Sequence, residues 1–311
     1  MQERRSSMKK RLFRVCVMTL AVVSVFFTSY VLYAEQLSSM KIKEIEKGIE
    51  KLEAKERGVQ RKGYRQVKAL GEISIPYLIE ALKDKTVNFE SRILMCDLLG
   101  EWKAKDAVPV LLYTLDNTSY TVRTAACKAL GNIGDPAATD SLLEMLGDSS
   151  PHVREAASRA LVGFSDKRIA PRAAKLLSDD SDSVRLAAIT LLDDQLDPST
   201  APAIRKALED DPAAGVRSVA AKALGGLKDE KAVDLLMNSL IEDGGEGVRK
   251  ESATALGKIG DEKAVPALIE GTNDGYKDVQ LCAASSLKEL TGEDFGRNYK
   301  EWKSWYTRTH E

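Results

Sequence analysis

Apolar and polar positions in this chain follow helical periodicity, and the same pattern returns at a fixed interval. In TAACKALGNI, Ala126, Ala129, Leu130 and Ile133 fall at i, i+3, i+4 and i+7, which gives a helix one buried stripe. A turn follows at Gly134-Asp135-Pro136, and then a second amphipathic stretch. The segment TALGKIGDEKAVPALIE, residues 254–270, repeats this helix–turn–helix layout, and thinner copies begin at Lys222 and Lys128. A Val-Arg pair marks the period: Val122-Arg123, Val153-Arg154, Val184-Arg185, Val216-Arg217 and Val248-Arg249, decaying to Val279-Gln280. The steps are 31, 31, 32, 32 and 31 residues. A single helical hairpin cannot bury its apolar stripe, whereas stacked hairpins bury it against one another. The pattern therefore predicts an all-α fold, an α-solenoid of stacked helical hairpins with a period of 31–32 residues.

The residues around each pair sharpen this reading. An Asp precedes the Arg by six at Asp148/Arg154, Asp179/Arg185, Asp211/Arg217 and Asp243/Arg249, and Pro109, Pro171 and Pro266 lie in first helices. Over about residues 64–290 this resembles the short HEAT-like repeats first associated with phycobilisome lyases. It departs from them in its short period beside eukaryotic HEAT units and in Gln280, which stands where the Arg is lost. The Thr-Pro-Leu-His and Trp/Leu-Gly/Tyr signatures of ankyrin and tetratricopeptide repeats are missing. The resemblance implies that the Asp–Arg pairs form a structural ladder across repeats. Each of Arg123, Arg154, Arg185, Arg217 and Arg249 also follows an acid by six residues, or by seven at Asp116, which is placed to neutralise it. Exposed pairs of that kind contribute about 0–1 kcal/mol each and chiefly set the angle between neighbours.

The ends of the array differ from its middle. KIKEIEKGIEKLEAKERG places Ile42, Ile45, Ile49 and Leu52 at heptad spacing among alternating charges, so residues 35–63 are expected to be a charged helical cap or a stalk. YRQVKALGEISIPYLIEAL, from Tyr64, is the later half of a degenerate first repeat. Residues 291–311 carry Phe295, Tyr299, Trp302 and Trp305 at helical spacing and resemble the LTG-x-D-F-G … W-x-x-W tail that ends many bacterial proteins with these repeats. An aromatic cap over the last repeat is expected there, with partner docking as the alternative.

Charge is unevenly distributed. Six of the 46 basic residues and one of the 47 acidic residues lie in residues 1–34, which leaves the rest of the chain at a net charge of −6. That acidic body disfavours nucleic acid, whose binders cluster cations against phosphates. From Met8, a basic start leads into the uncharged stretch Val15 to Tyr33, the layout of an export signal. Residues 1–34 are expected either to be cleaved near Ala34 or to stay as an N-terminal membrane anchor through residues 15–33. The body is then periplasmic or otherwise in the cell envelope.

Candidate chemistry is sparse. The two histidines are His152, in a loop, and His310, near the end of the chain. HEAT-like metal hydroxylases hold di-iron with paired His-Glu dipeptides, and the sequence offers one such dipeptide, His310-Glu311. No cofactor, metal site or catalytic residue is expected. Cys16 lies in the apolar leader. Cys96 and Cys127 occupy equivalent points of successive helices, which stack some 8–10 Å apart, too far for a disulfide whose Cα atoms want to be within about 7 Å. They and Cys282 are expected to be buried thiols. Gly244-Gly245-Glu246-Gly247 lacks the Lys-Ser/Thr of a phosphate loop and is a turn.

In solenoids of this kind the second helix of each repeat lines the concave side. Five residues after the ladder position runs the row Asp97, Lys128, Arg159, Thr190, Lys222, Thr254, Ser285, with Asn132, Asp194 and Lys258 one position outward. Lys128, Arg159, Lys222 and Lys258 give this row a mildly basic centre and form the candidate protein-binding stripe. The expected function is an exported, non-enzymatic scaffold or adaptor for another protein, the architecture being the analogy. A bilin-lyase-like enzyme and, less favoured, a nucleic-acid-binding solenoid are the alternatives. The sequence does not fix the oligomeric state.

Overall fold

A computed structural model of the chain describes residues 38–310. The expected export signal or anchor, residues 1–34, lies outside the described residues, and so does Glu311 of the His310-Glu311 dipeptide. The described residues form helices and turns without a strand. No helix among them is long and apolar enough to cross a membrane. Contacts divide the chain into two compact units, one ending at Leu94 and one starting at Met95.

The first unit contains a helix over residues 38–52 (α1), α2 (Arg57–Leu70), α3 (Ile75–Lys83) and the first half of α4 (Phe89–Glu101). Ile45 and Leu52 of the heptad pattern are buried. The two helices α1 and α2 cross where neither has a side chain: a Cβ on Gly63 would lie 2.5 Å from the Leu52 nitrogen and 2.7 Å from the Gly48 oxygen. Lys51 Nζ donates to Gln66 Oε1 at 2.7 Å, and Gln66 Nε2 donates to the Glu44 carbonyl at 2.7 Å. Residues 38–52 thus form the first arm of a helical hairpin with α2. The boundary expected at residue 63 falls inside α2, because Gly63 is there for close approach and not for a chain break.

The second unit stacks helical pairs. Shorter helices, called A, alternate with longer B helices: α5 (Val108–Thr114) with α6 (Tyr120–Ile133), α7 (Thr139–Met145) with α8 (Pro151–Ala160), and α9 (Ile169–Lys175) with α10 (Asp182–Gln195). Then come α11 (Ala201–Asp210) with α12 (Ala214–Leu227), α13 (Val233–Glu242) with α14 (Glu246–Ile259), and α15 (Val265–Gly271) with α16 (Lys277–Thr291). The last helix is α17 (Tyr299–His310). Local chemistry explains the turns. B helices α6 and α14 end on left-handed glycines, Gly134 (φ 68°) and Gly260 (φ 84°), where a Cβ would be strained. Leu196 and Lys228 adopt the same left-handed backbone without being glycine. An aspartate then caps the next turn: Asp135 and Asp261 accept from the backbone N–H two residues on, both at 2.9 Å.

The stripe predicted for the B helices is the core. Val122, Ala126, Ala129, Leu130 and Ile133 are buried, and so are the equivalents of the first four in later repeats, whereas at the last position Phe164 is buried and Gln195, Leu227 and Ile259 are half-buried. Successive B helices pack against one another through α6, α8, α10, α12, α14 and α16. Much of that closeness comes from one column of glycines, eight residues after each ladder position. A Cβ on Gly100, Gly131 or Gly225 would lie 2.8, 2.6 or 2.7 Å from the Cα of Ala129, Ala160 or Ala255 in the next B helix. On Gly257 it would lie 2.7 Å from Ser286 Cβ.

Candidate functional site

The ladder is present, and its wiring differs from the sequence expectation. Each Arg reaches forward to the aspartate of the following repeat, not back to the one six residues earlier. Arg123 Nε donates to Asp148 Oδ2 at 2.7 Å and its Nη2 to Oδ1 at 2.8 Å. The same two-pronged bond joins Arg154 to Asp179, Arg185 to Asp211, Arg217 to Asp243 and Arg249 to Asp274. The residue six before contributes its backbone carbonyl: Arg154 Nη1 donates to the Asp148 oxygen at 2.8 Å, and Arg185 Nη1 to that of Asp179 at 2.9 Å. Each aspartate also accepts from the N–H two residues on, which opens the next B helix; Asp148 takes it from Ser150 at 2.8 Å. One carboxylate therefore starts a helix and fastens it to its neighbour.

These rungs are mostly buried rather than surface pairs. The Arg185 and Asp211 side chains are 11% and 4% exposed. A bidentate, largely desolvated pair is stronger than the exposed kind, and it leaves a costly orphan if one partner is lost. For Asp148, Asp179, Asp243 and Asp274, burial alone would raise the carboxyl pKa. The arginine fork and the backbone N–H outweigh it and hold each one below the ordinary value. Arg249 gains a further contact, its guanidinium lying 5.4 Å from the Tyr276 ring centre.

The candidate stripe lies along the exposed side of the B row. Lys128, Arg159, Lys222 and Lys258 are all exposed, as are Asp97, Thr190 and Ser285. Its basic centre is answered by acids on the same helix or the preceding one. Lys222 Nζ sits 2.7 Å from Asp193 Oδ2, on the preceding B helix, and this contact holds the lysine pKa above its usual value. Arg159 Nε lies 3.1 Å from Glu155 Oε1. Lys128 faces Asp97, whose carboxyl, exposed but partly desolvated by the surrounding helices, has a raised pKa, with Glu101 adding to the rise and Lys128 opposing it. The face alternates in charge and is not an anion track.

Three overlapping matches to the family model for HEAT repeats, over residues 75–161, 139–225 and 201–288, span most of this array. The chain belongs to the HEAT repeat family. Comparison with curated proteins gave no match. Among solved structures, the Escherichia coli protein YibA is similar in fold, with a TM-score of 0.62 at 19% identity over 82% of this chain and 97% of that one. An engineered protein gives a TM-score of 0.56 at 20% identity, covering 79% and 78%. Human deoxyhypusine hydroxylase, solved in complex with glycerol, covers 82% and 99% at 23% identity with a TM-score of 0.38, too loose an overlay to carry an inference.

The C-terminal end of the HEAT array is closed by specific contacts. At Gln280, where the Arg is lost, the amide Nε2 donates to the Asp274 carbonyl at 2.6 Å, and its Oε1 accepts from Arg297 Nη1 at 2.9 Å. The aromatic tail follows. Trp302 is fully buried, its indole N–H donates to the Gly296 carbonyl at 2.7 Å, and Phe295 and Trp305 meet it edge-on at 4.9 and 5.8 Å. Tyr299 donates its hydroxyl to Glu270 of α15 at 2.9 Å. Cys96, Cys127 and Cys282 are thiols, the first two buried, and burial pushes the Cys127 pKa up to about 12. His152 is exposed and stacks on Tyr120 at 5.5 Å. Among the described residues no three His, Cys, Asp or Glu side chains converge as metal ligands.

Proposed function

We propose that this HEAT repeat scaffold is a non-enzymatic adaptor that works outside the cytoplasm and holds another protein along the exposed side of its B helices. The observation that carries the reading is the continuous B-helix face from Asp97 to Ser285, held in register by five buried rungs. B helices pack on B helices more extensively than A helices pack on A helices. The stripe is read as the inner side on the analogy of HEAT-like solenoids, whose second helices line the concave surface where extended partners bind. Its alternating charge suits a partner that carries both signs, and it disfavours a polyanion, which needs clustered, uncompensated cations. Support for export comes from the basic start and apolar run of residues 1–34.

A pull-down from envelope extract tests the reading, with the chain from Gln36 as bait beside a variant carrying K128E, R159E and K222E. A stoichiometric partner held by the parent and lost by the variant, with the variant's melting curve showing an intact fold, is the expected result. A partner that both retain removes the stripe as the binding face. No partner for either turns attention to small-molecule chemistry.

A further inference from the structure

The glycine column that lets B helices touch is interrupted over two consecutive positions. At the position held by Gly100, Gly131, Gly225 and Gly257, α10 carries Asp193, and Val162 stands there just past the end of α8. The facing position, Ala or Ser at the close junctions, is Leu191 opposite Val162. The backbone approach made by the glycines is closed to these side chains. Helix α8 is also short, with 10 residues against 14 in α6, α10, α12 and α14. Its last turn is given up at Leu161, and the chain reverses through Gly163 at φ 84°.

Side chains such as Leu161 and Leu191 still pack across this junction, and polar contacts stand where the glycine approach is missing. Asp194 Oδ2 accepts from the Gly163 N–H at 2.9 Å, and Gln195 Nε2 donates to the Phe164 carbonyl at 2.9 Å. Such bonds beside water are weak, because water competes for both partners. An open cavity of about 650 Å3 adjoins them, lined by Gly163, Phe164, Asp166, Asp194, Gln195 and Asp197. The next junction, α10 to α12, has the Lys222–Asp193 bridge across it. On the opposite edge of the stack the rungs Arg154–Asp179 and Arg185–Asp211 continue without change.

From this asymmetry we infer that the α8–α10 junction is a hinge. The rungs at the B-helix N-termini act as the pivot, and the C-terminal ends of α8 and α10 open and close by breaking and remaking the two bonds from Asp194 and Gln195. Curvature of the inner face then changes at one place, between the repeats that carry Arg159 and Lys222. The hinge goes beyond the adaptor reading and stands without it, since it concerns the free chain.

Paired spin labels on the full-length protein, with Cys16 and Cys282 changed to serine, test it by their distance distributions. One pair, A137C with S199C, spans two repeats and includes the hinge. The other, S199C with E262C, spans two repeats across the junctions closed by Gly225 and Gly257. All three sites are exposed. The first distribution should be about twofold broader than the second, as expected where side-chain and polar contacts stand in for a close backbone approach. Changing Asp194 and Gln195 to alanine should broaden the first pair further and leave the second alone. Equal widths in the parent protein overturn the inference. So does a first-pair width that the double variant leaves unchanged.

Discussion

The two edges of the B-helix stack, one at the N-termini of its helices and one at their C-termini, solve the same problem by different means. At the N-terminal edge, five arginine–aspartate rungs repeat almost without variation. At the C-terminal edge, contact depends on whether a glycine is present, and the helices touch backbone to backbone at Gly131 and Gly225 but not at Val162 or Asp193. The rungs specify which helix lies next to which and in what register. The glycines specify how close the two come. An array can vary the second without losing the first, and so it can keep one fold while differing in local stiffness.

The largest expected effect lies on the glycine edge. Gly225→Leu would drive a side chain into the Ala255 backbone, where the added Cβ alone lies 2.7 Å from the Ala255 Cα. A loss of about 3 kcal/mol is expected in urea unfolding. Val162→Leu, at the same column where no close approach exists, should change stability by about 0.5 kcal/mol or less. Similar losses at the two sites would erase the distinction between the edges.

Next come the rungs. Arg185→Ala leaves the Asp211 carboxylate, 4% exposed, without its fork, and a loss of about 2–3 kcal/mol is expected. Arg185→Lys should recover only part of it, because an ammonium cannot make the two-pronged bond. A lysine variant as stable as the parent would show that charge alone suffices.

Acid should act on the rung edge selectively. Asp148, Asp179, Asp243 and Asp274 have folded-state pKa values below the ordinary 3.8. Each therefore adds stability that is complete above its unfolded pKa and is lost as pH falls through the lower folded value. Melting temperature should hold steady from neutral pH to about pH 5 and then fall steeply below about pH 4. In an Asp179→Asn variant, already less stable at neutral pH, the acid-side fall should be shallower.

The smallest effect concerns the helix ends. Lys228 takes a left-handed backbone with φ 52° on an exposed side chain, and Lys228→Gly should stabilise the chain by about 0.5–1 kcal/mol. A loss of stability instead would mean that the lysine side chain, and not its backbone angle, matters there.

Much of this was legible in the sequence, for a definite reason. A fixed period aligns equivalent residues, so the helices, the buried stripes and the members of the ladder could be picked out by counting. The partners within the ladder could not. Arg154 has aspartates both six behind and 25 ahead, and only the spacing between stacked helices decides that the carboxylate comes from Asp179 and the carbonyl from Asp148. The glycine column was visible as Gly100, Gly131, Gly225 and Gly257, each eight after the ladder position. Its meaning emerges only when the facing alanine is known. The stripe seemed basic for a similar reason: Lys222 and Asp193 are 29 residues apart in the chain and 2.7 Å apart in space.

The rungs also give the array a direction. The repeats that carry Arg154, Arg185, Arg217 and Arg249 each receive an arginine from behind and extend one forward, so each is complete only through both of its neighbours. A chain cut after Glu270 would leave Arg249 extended toward an aspartate that is no longer there. A chain shortened by one whole repeat from the interior would close every rung again, provided that Gln280 and α17 remained. Length in such a protein is thus a free variable, but termination is not. Gln280 ends the sequence of hand-overs by making the backward bond and receiving Arg297 in place of offering a guanidinium onward.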